Sequence, residues 1–330
     1  MNKILILILC PILVVSQTNK ESVPDENIFT MFYNVENLFD TINDATTIDE
    51  EFLPISKKKW NTHRYNHKIN QLAKVFSSII EDKNDNKMPD IIGLCEVENK
   101  QVIDDLLKTP IFNNHNFTII HQDSPDGRGI DCALLFNNKF QLLKHDFILI
   151  DNPDLKKSTR DIVYVKLRIK NKVVNFFVNH WPSRWGGQEE TNYKRVFAAK
   201  VLKKYIDINI FEDEYTIIMG DFNDYPTNES LSEVLVGDNL INLMTTDFIL
   251  DKGSYNYKGS WNWLDQIIIS KNFLTYNVKI FSAGAFKKDF MLYTNKKKEV
   301  FPSRTFGGDK WYGGFSDHLP IYYQFGFTSD

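Results

Sequence analysis

Residues 217–226, which read IIMGDFNDYP, constrain the fold more than any other stretch of the chain. An apolar run leads through Gly220 into Asp221, Asn223 and Asp224, so a buried strand is predicted to end in a cluster of polar groups. Open α/β sheets bind their ligands at this end of their strands. Asp221 and Asn223 are two positions apart, which places both side chains on one side of an extended backbone. The alternative is a strand that simply ends in a turn, because Asp, Asn, Gly and Pro all favour turns.

Polar residues border other apolar runs in the same way, which favours a shared site over isolated turns. These residues are Asn34, Glu36 and Asn37 after the first apolar run, Glu96 after IIGLC, His180 after VVNFFVN, Asp265 at the start of DQIIIS, and Ser316, Asp317 and His318 before LPIYYQF. We therefore predict that carboxylates, imidazoles and amides that are distant along the chain converge in a single cleft.

The short segments that carry these residues resemble a known family. In chain order they are NVEN, GLCEVEN, NHWPSR, GDFND, LDQIIIS and SDHLP. One such segment arises easily in a turn, but six in this order are similar to the endonuclease/exonuclease/phosphatase superfamily, the DNase I-like metal-dependent phosphodiesterases. The resemblance covers residues 28–326, which we predict to form one domain.

The resemblance implies an α/β fold, a four-layered sandwich of two packed mixed β-sheets flanked by helices. Apolar residues at helical spacing predict long helices over residues 63–81 and 188–206, and a short helix is expected around 100–108. Residues 117–179 are predicted to form a largely antiparallel run of strands. The apolar face of the second long helix is predicted to include Tyr193, Val196, Phe197, Val201 and Tyr205.

The N-terminal segment predicts export. Lys3 precedes an unbroken apolar run from Ile4 to Val15, which is typical of a secretory signal peptide and too short for a membrane span. We assign residues 1–16 to the signal peptide and 17–27 to a flexible lead-in. The expected protein is a secreted bacterial-type member of the superfamily, located outside the cell or in the periplasm, with no membrane span.

Cysteine content and charge limit the function further. Cys95 and Cys132 lie in apolar runs without metal-ligand spacing, so we expect two buried thiols, although export would permit a disulfide. The formal net charge of −4 gives no general attraction to nucleic acid. Such binding would have to come from a local basic patch or a bound cation.

The resemblance implies a divalent metal, Mg²⁺ with Mn²⁺ as a substitute, held by Glu36, Glu96 and Asp317. Asn34 is expected to act as a ligand or to donate to the substrate phosphate. Hydrolysis of a phosphodiester requires neutralisation of the phosphate oxygens, and Mg²⁺ on carboxylates suits that task. Glu98 is expected instead to cap the following helix or to face solvent.

Two imidazoles and their acids are the catalytic groups that the resemblance implies. His318 contacts the phosphate or acts as a base, and Asp265 supports it. His180 is expected to pair with Asp131 and to serve the leaving group. The alternative for Asp131 is a residue at the start of a strand that points to water.

The remaining site residues surround the attacking water and the phosphate. Asp221 is predicted to align or deprotonate the water, and Asn223 to stabilise charge in the transition state. Arg160 stands where the family often binds phosphate. Arg128 and Arg184 are rivals for that role, and an ordinary ion pair is the alternative for Arg160.

Together these residues predict a secreted, divalent-metal-dependent phosphodiester hydrolase, an endonuclease that acts on extracellular nucleic acid. A hydrolase of phospholipids or small phosphoesters is the alternative enzyme, and a catalytically inactive binding module is the alternative from another class. Aromatic residues of the later loops, among them Trp185, Tyr255 and Tyr312, either stack bases or anchor the loops. The sequence points to no protein partner.

Overall fold

The computed structural model describes residues 27–83, 87–113, 115–153, 158–247 and 249–328. The predicted signal peptide, residues 1–16, and residues 17–26 of the predicted lead-in lie outside this set. Within it, no helix has both the length and the apolar content that a membrane crossing requires.

The strands are numbered in chain order. The first part of the chain contributes β1 (Ile28–Leu38), β2 (Ile91–Val97), β3 (Phe117–His121), β4 (Asp131–Asn137), β5 (Gln141–Ile148), β6 (Ile162–Ile169), β7 (Lys172–His180) and β8 (Tyr215–Asp221). The rest contributes β9 (Leu240–Asn242), β10 (Tyr255–Tyr257), β11 (Ser260–Asn262), β12 (Asp265–Ser270), β13 (Val278–Ala285), β14 (Leu292–Thr294), β15 (Val300–Pro302), β16 (Phe306–Gly307), β17 (Lys310–Trp311) and β18 (Ile321–Phe327).

Two six-stranded mixed sheets form the centre of the molecule. The first has the order β13-β18-β1-β2-β4-β3 and the second the order β5-β6-β7-β8-β12-β9. Each sheet contains one parallel pair, β1 with β2 and β7 with β8, and its other neighbouring strands are antiparallel. The carboxyl ends of a parallel pair lie at the same edge of a sheet, together with the starts of the antiparallel neighbours. This edge collects the polar residues that the sequence places at strand ends.

Alternating side chains of the strands build the layers. In β8, Ile217 and Met219 belong to the core between the sheets, whereas Ile218 belongs to a second core on the outer face. Because β8 is buried on both faces, its sequence is a continuous apolar run instead of an alternating one. The two packed mixed sheets with helices outside them confirm the predicted α/β sandwich.

Three α-helices cover the outer faces: α1 (Thr62–Lys83), α2 (Lys100–Leu107) and α3 (Gln188–Asn209). The first two pack on the first sheet and α3 on the second. The predicted helices are therefore present, and Phe197, Val201 and Tyr205 of the predicted face of α3 pack, partly buried, against the outer core. The fully buried residues of α3 centre instead on Arg195, Ala198, Ala199 and Leu202, while Tyr193 is 49% exposed. Arg195 is buried because it forms an ion pair with Asp224, a contact that apolar periodicity does not register.

The predicted antiparallel run over residues 117–179 is divided between the sheets. β3 and β4 belong to the first sheet and β5, β6 and β7 to the second, so the turn after β4 carries the chain across the sandwich. Local sequence predicts strands and turns but does not specify which sheet a strand joins. The sheet to which each strand belongs is therefore decided by the whole fold.

Three short hairpins, which the sequence did not predict, lie along the later loops: β10 with β11, β14 with β15, and β16 with β17. Their strands have only two or three residues, too few for a periodic pattern. Cys95 and Cys132 face each other in register on β2 and β4, and both are buried free thiols, as predicted.

Candidate active site

The strands that end at the common edge finish in an unusual backbone conformation. Glu36, Glu96 and Asn223 have φ values of 52°, 63° and 50°, in the left-handed region that residues other than glycine seldom adopt. Such strain persists only where the surrounding structure enforces it, and it concentrates at functional sites. The ends of β1, β2 and β8 therefore form a candidate functional site.

Asn34 links the two sheets at this edge. Its Nδ2 donates to Glu96 Oε1 at 3.2 Å and to Asp221 Oδ2 at 3.0 Å. The backbone N–H of Asn37 donates to the other oxygen of Glu96 at 2.9 Å. Residues from β1, β2 and β8 are thus held in one cluster, as the sequence predicted for Asn34, Glu96 and Asp221.

Two carboxylates, Asp265 and Asp221, lie against the imidazole of His318. Its Nδ1 lies 2.7 Å from Asp265 Oδ2, and since a carboxylate only accepts, Nδ1 must donate. Burial alone lowers the pKa of His318, but the Asp265 and Asp221 carboxylates outweigh burial and hold the pKa well above its usual value. His318 is therefore a cation whose Nε2 lies 3.8 Å from Asp221 Oδ2.

His180, at the end of β7, is neutral, in contrast to the imidazolium of His318. Burial, followed by the positive charges of Arg160, Arg128 and His318, holds the pKa of His180 well below its usual value. Its Nε2 lies 3.8 Å from Glu96 Oε1 and 3.8 Å from Asp221 Oδ2. The cleft thus contains one neutral imidazole and one imidazolium, both turned toward Asp221.

The predicted pair of His180 and Asp131 is not formed. Within the described part of the chain His180 Nδ1 has no hydrogen-bond partner. Asp131 instead accepts from the backbone N–H of Ser124 at 2.9 Å and lies 3.4 Å from His121 Nε2. Order along the chain suggested the pair, but β4 and β7 belong to different sheets, and only their packing decides which side chains meet.

Asp221 is placed by its own loop. The backbone N–H of Asn223 donates to Asp221 Oδ1 at 2.9 Å, and Asn223 Nδ2 donates to the carbonyl of Trp181 at 3.1 Å. Burial, together with repulsion from Asp265 and Glu96, raises the pKa of Asp221 to about 6 despite the opposing attraction of His318. Asn223 therefore orients Asp221 here, and its amide is bound to the protein backbone.

Gly220 permits the close approach of β7 and β8 just before these residues. A Cβ atom at this position would lie 2.4 Å from the carbonyl oxygen of Asn179, which is its register partner on β7. Only glycine fits there, and His180 and Asp221 become neighbours in register as a result.

Arg160 binds the backbone at the end of β7. Its guanidinium donates to the carbonyls of His180 and Trp181 at 3.1 and 2.6 Å and to Asp126 at 3.0 Å. A buried arginine with these partners holds the β7 terminus instead of presenting its donors to a phosphate. Arg184, its predicted rival, donates to the carbonyl of Asn223 at 2.7 Å and to Asp224 at 3.1 Å, and so it anchors the 221–224 loop.

The three residues predicted to bind metal are separated. Glu96 lies in the cleft, but Glu36 accepts from the backbone N–H of Thr305 at 2.6 Å and from Arg304 Nε at 3.3 Å. Asp317 accepts from the same guanidinium at 3.0 Å. The left-handed backbone of Glu36 breaks the two-residue alternation that would have set it beside Asn34.

Sequence reasoning missed Arg304 and Lys68. Lys68 lies on the buried face of α1 and donates to the hydroxyl of Thr305 at 2.7 Å and to the carbonyl of Phe315. Burial lowers the pKa of Lys68 to about 8, while Glu36 and Asp317 act against that shift. Lys68 interrupts the apolar stripe of α1 between Tyr65 and Leu72, and this pattern could have predicted a buried charge. Arg304 lies in a loop that the sequence did not predict, and no local pattern indicates its role.

A cavity of about 410 Å³ opens beside His318. The ring of Tyr255 lies 4.8 Å from the imidazole of His318, centroid to centroid, and forms one wall. The cavity is also lined by Asn256, Asn295, Arg304, Tyr312 and Asp317. Of the predicted stacking residues Tyr255 and Tyr312 line this cavity, whereas Trp185 is 90% exposed on another loop.

The donor set in the cleft suits a hard divalent cation. Asp221, Asp265 and His318 each place one polar atom within 4.8 Å of the others, and Asn34 Nδ2 holds Glu96 beside Asp221. The imidazolium of His318 has no lone pair left for a metal, so the ligand atoms on offer are the carboxylate oxygens of Asp221, Asp265 and Glu96. Asp265 Oδ1 is buried with no hydrogen-bond partner among the described residues. Three acidic groups with a raised pKa at Asp221 leave unbalanced negative charge, which is the property that a carboxylate metal site requires.

Comparison with known proteins agrees with this geometry. The model of the Endonuclease/Exonuclease/phosphatase family matches residues 29–326. No curated protein matches the chain in sequence.

Solved structures share the fold at low sequence identity. An endonuclease/exonuclease/phosphatase family protein from Bacteroides thetaiotaomicron has a TM-score of 0.58 and 15% identity, with 92% of this chain and 99% of that chain covered. D. rerio TDP2 complexed with a single-strand DNA product has a TM-score of 0.58 and 14% identity, covering 92% and 100%. The mannosyl-6-phosphatase Bt3783 of Bacteroides thetaiotaomicron has a TM-score of 0.57 and 15% identity, covering 91% and 100%. With the family model matched over nearly its whole described length, the chain belongs to the endonuclease/exonuclease/phosphatase family, whose members use divalent metals to hydrolyse phosphoester bonds.

Proposed function

We propose that this protein is an exported, Mg²⁺-dependent phosphodiesterase that cleaves nucleic acid internally. The observation that carries the proposal is the convergence of Asn34, Glu96, Asp221, Asp265, one neutral imidazole and one imidazolium at one sheet edge. Phosphodiester hydrolysis needs a base for water, a donor for the phosphate oxygens and a site for a cation, and this cluster supplies all three.

The charge states of Asp221, His318 and His180 suit them to different roles in the hydrolysis. With a pKa of about 6, Asp221 is ionised at neutral pH yet basic enough to accept a proton from the attacking water. The imidazolium of His318, held through Nδ1 by Asp265, donates its Nε2–H to a phosphate oxygen. Neutral His180 hydrogen-bonds the substrate without adding charge. A divalent cation held by Glu96, with Asn34 beside it, supplies neutralisation of the phosphate oxygens when bound.

Cationic and aromatic side chains near the cavity support a nucleic acid substrate. Arg304 and Tyr312 line it, and Lys310 Nζ lies 5.2 Å from the centre of the Tyr312 ring. Aromatic faces stack bases and cations follow the phosphate backbone. Lys310 adds positive charge at this point of an acidic chain, whereas Arg304 already pairs with Glu36 and Asp317. A nucleic acid substrate is also consistent with the DNA product in the similar TDP2 structure.

The cavity equally favours a second candidate, the hydrolysis of a small phosphoester. A volume of about 410 Å³ is in the range of pockets for small molecules. The similar structure of a mannosyl-6-phosphatase shows that this fold also serves sugar phosphates. In that case Asn256 and Asn295, which line the cavity, would hydrogen-bond the sugar hydroxyls.

A substrate panel separates these candidates. Purified protein with Mg²⁺ is incubated with circular plasmid DNA, single-stranded DNA, RNA, sphingomyelin and hexose 6-phosphates. We expect nicking and linearisation of the plasmid, loss of activity with EDTA, and a drop of about 10²–10³-fold in Glu96→Gln. The matched control, Glu233→Gln, changes an exposed glutamate and should retain full activity.

Release of phosphate from a hexose phosphate with intact DNA would move the proposal to the second candidate, and lipid turnover alone would indicate a phospholipase. A folded protein that is inert on every substrate would support the binding-module alternative. Export has its own test, because N-terminal sequencing of secreted protein should find cleavage close to residue 16.

A further inference from the structure

A second cluster of ligand-type side chains lies outside the catalytic cleft. His121 ends β3, Asp131 begins β4, and Asp123 lies in the loop that joins these strands. One ligand atom from each lies within 4.8 Å of the other two. None of them contributes to the catalytic cluster described above.

The buried Nε2 of His121 is not accounted for by hydrogen bonds among the described residues. Its side chain is only 3% exposed, and Nε2 is buried without a hydrogen-bond partner among the described residues. Asp131 Oδ2 lies 3.4 Å away, in a geometry that does not make a hydrogen bond. Buried nitrogen atoms are nearly always paired, and an exception calls for a missing ion or water. Two ligand atoms turned toward a common point are the arrangement found around a metal.

Among the described residues, no lysine or arginine forms an ion pair with Asp123 or Asp131. The two nearby arginines, Arg128 and Arg160, both pair with Asp126 instead. A cavity of about 180 Å³, lined by Asp123, Asp126, Asp131 and Glu98 among others, connects the cluster with solvent.

We propose that His121, Asp123 and Asp131 bind a second divalent cation, of the transition-metal class represented by Zn²⁺. One imidazole with two carboxylates is a mixed nitrogen and oxygen donor set, which zinc accepts readily. Mg²⁺ prefers oxygen ligands alone and so is directed to the catalytic cleft. The bound ion fixes the 122–130 loop between β3 and β4, directly behind Arg160 and the end of β7.

Metal binding tests the proposal without any activity assay. The full-length chain carrying Glu96→Gln, freed of zinc by a chelator and then kept in excess Mg²⁺, is titrated with Zn²⁺ by calorimetry. His121→Gln is compared with His145→Gln, a change at an exposed histidine of β5. We expect the parent and His145→Gln to bind one Zn²⁺ more than His121→Gln, or to bind it at least about tenfold more tightly. The melting temperature should rise with Zn²⁺ in the first two proteins and markedly less in the third.

Equal Zn²⁺ stoichiometry and affinity in all three proteins would overturn the proposal and leave an ion pair between His121 and Asp131 only. If His121→Gln does not fold, Asp123→Asn replaces it, because Asp123 is exposed and its substitution removes a ligand without disturbing the core. Zinc bound at the catalytic cleft is common to every variant and cancels in the comparison.

Discussion

At the scale of single residues, the cleft shows how environment assigns opposite roles to one side-chain type. His318 lies beside two carboxylates and becomes a cation, whereas His180 is buried near Arg160 and Arg128 and stays neutral. Between them Asp221 is a carboxylate whose pKa is raised to about 6. These charge states make the pH dependence of the reaction predictable.

Activity should fall on the acid side as Asp221 is protonated. Because its pKa is raised to about 6, the ionised base is present above that pH and is lost as the pH falls through it. His318 should cause no loss near neutrality, since its pKa lies well above its usual value. The pH profile of kcat/KM on a generic aryl phosphodiester should show one acid limb. Raising Mg²⁺ should move that limb to lower pH, because a cation favours the ionised carboxylate.

The residual activity of Asp221→Asn is the control for this profile. It should lack the acid limb, while His180→Gln should keep it, because neutral His180 does not titrate in that range. An acid limb that is unchanged in Asp221→Asn would assign the titration to another group.

Lys68 gives a second prediction at this scale. Lys68→Ala removes the donor to the Thr305 hydroxyl and the Phe315 carbonyl and leaves Glu36 without its neighbouring buried cation. We expect a loss of about 1–3 kcal/mol in the free energy of unfolding, measured by urea denaturation. Lys200→Ala, on the exposed face of α3, should change it by less than about 0.5 kcal/mol. A near-zero effect of Lys68→Ala would mean that water replaces the ammonium.

At the scale of elements, the site depends on parallel strand pairs that end together. β7 and β8 bring His180 and Asp221 side by side in register, and β12 places Asp265 opposite Asp221. The spacing of β7 and β8 depends on Gly220, where a side chain would collide with the backbone of Asn179. A change there acts on the strands first and on catalysis second.

Gly220→Ala should therefore be destabilising and nearly inactive. Overpacking of this kind costs about 1–3 kcal/mol, and the shift of β8 should misplace Asp221 relative to His180. Thermal unfolding and activity are measured together with Gly127→Ala, because a Cβ atom at Gly127 meets nothing within 4 Å. The control should match the parent in both measurements. Full activity in Gly220→Ala would show that β7 and β8 separate without harm.

At the scale of the whole molecule, the cleft exists only where the two sheets meet. Asn34 and Glu96 come from the first sheet, and Asp221 and Asp265 come from the second. A cation bound by this set therefore contacts ligands from both halves of the sandwich. Since the unfolded chain lacks this arrangement, the ion should stabilise the folded state.

Mg²⁺ should accordingly raise the melting temperature. At about a hundred times its dissociation constant, a ligand specific to the folded state adds about 2.7 kcal/mol. Scanning calorimetry of the EDTA-treated protein with increasing Mg²⁺ should show a progressive rise, reduced strongly in Glu96→Gln and unchanged in Glu233→Gln. An identical Mg²⁺ response in all three proteins would place the ion elsewhere.

The sequence by itself determined most strands of the two central sheets, the long helices and the residues at the strand ends, because apolar periodicity and turn chemistry act over short distances. The ordered segments from NVEN to SDHLP predicted both the family and the sandwich. Lys68 was the one buried charge that a careful reading of the stripe on α1 would have revealed.

Only the tertiary structure decided which side chains meet. Glu36 binds Arg304, Asp131 faces His121, and Arg160 holds the backbone of His180, although chain order suggested other partners. Glu36 and Arg304 are far apart in sequence, whereas His121 and Asp131 lie on neighbouring strands joined by one loop. In each case the contact depends on how the sheets pack and where the backbone leaves regular strand geometry. Local sequence encodes neither, so the partners of a charged side chain follow from the packing of the complete fold.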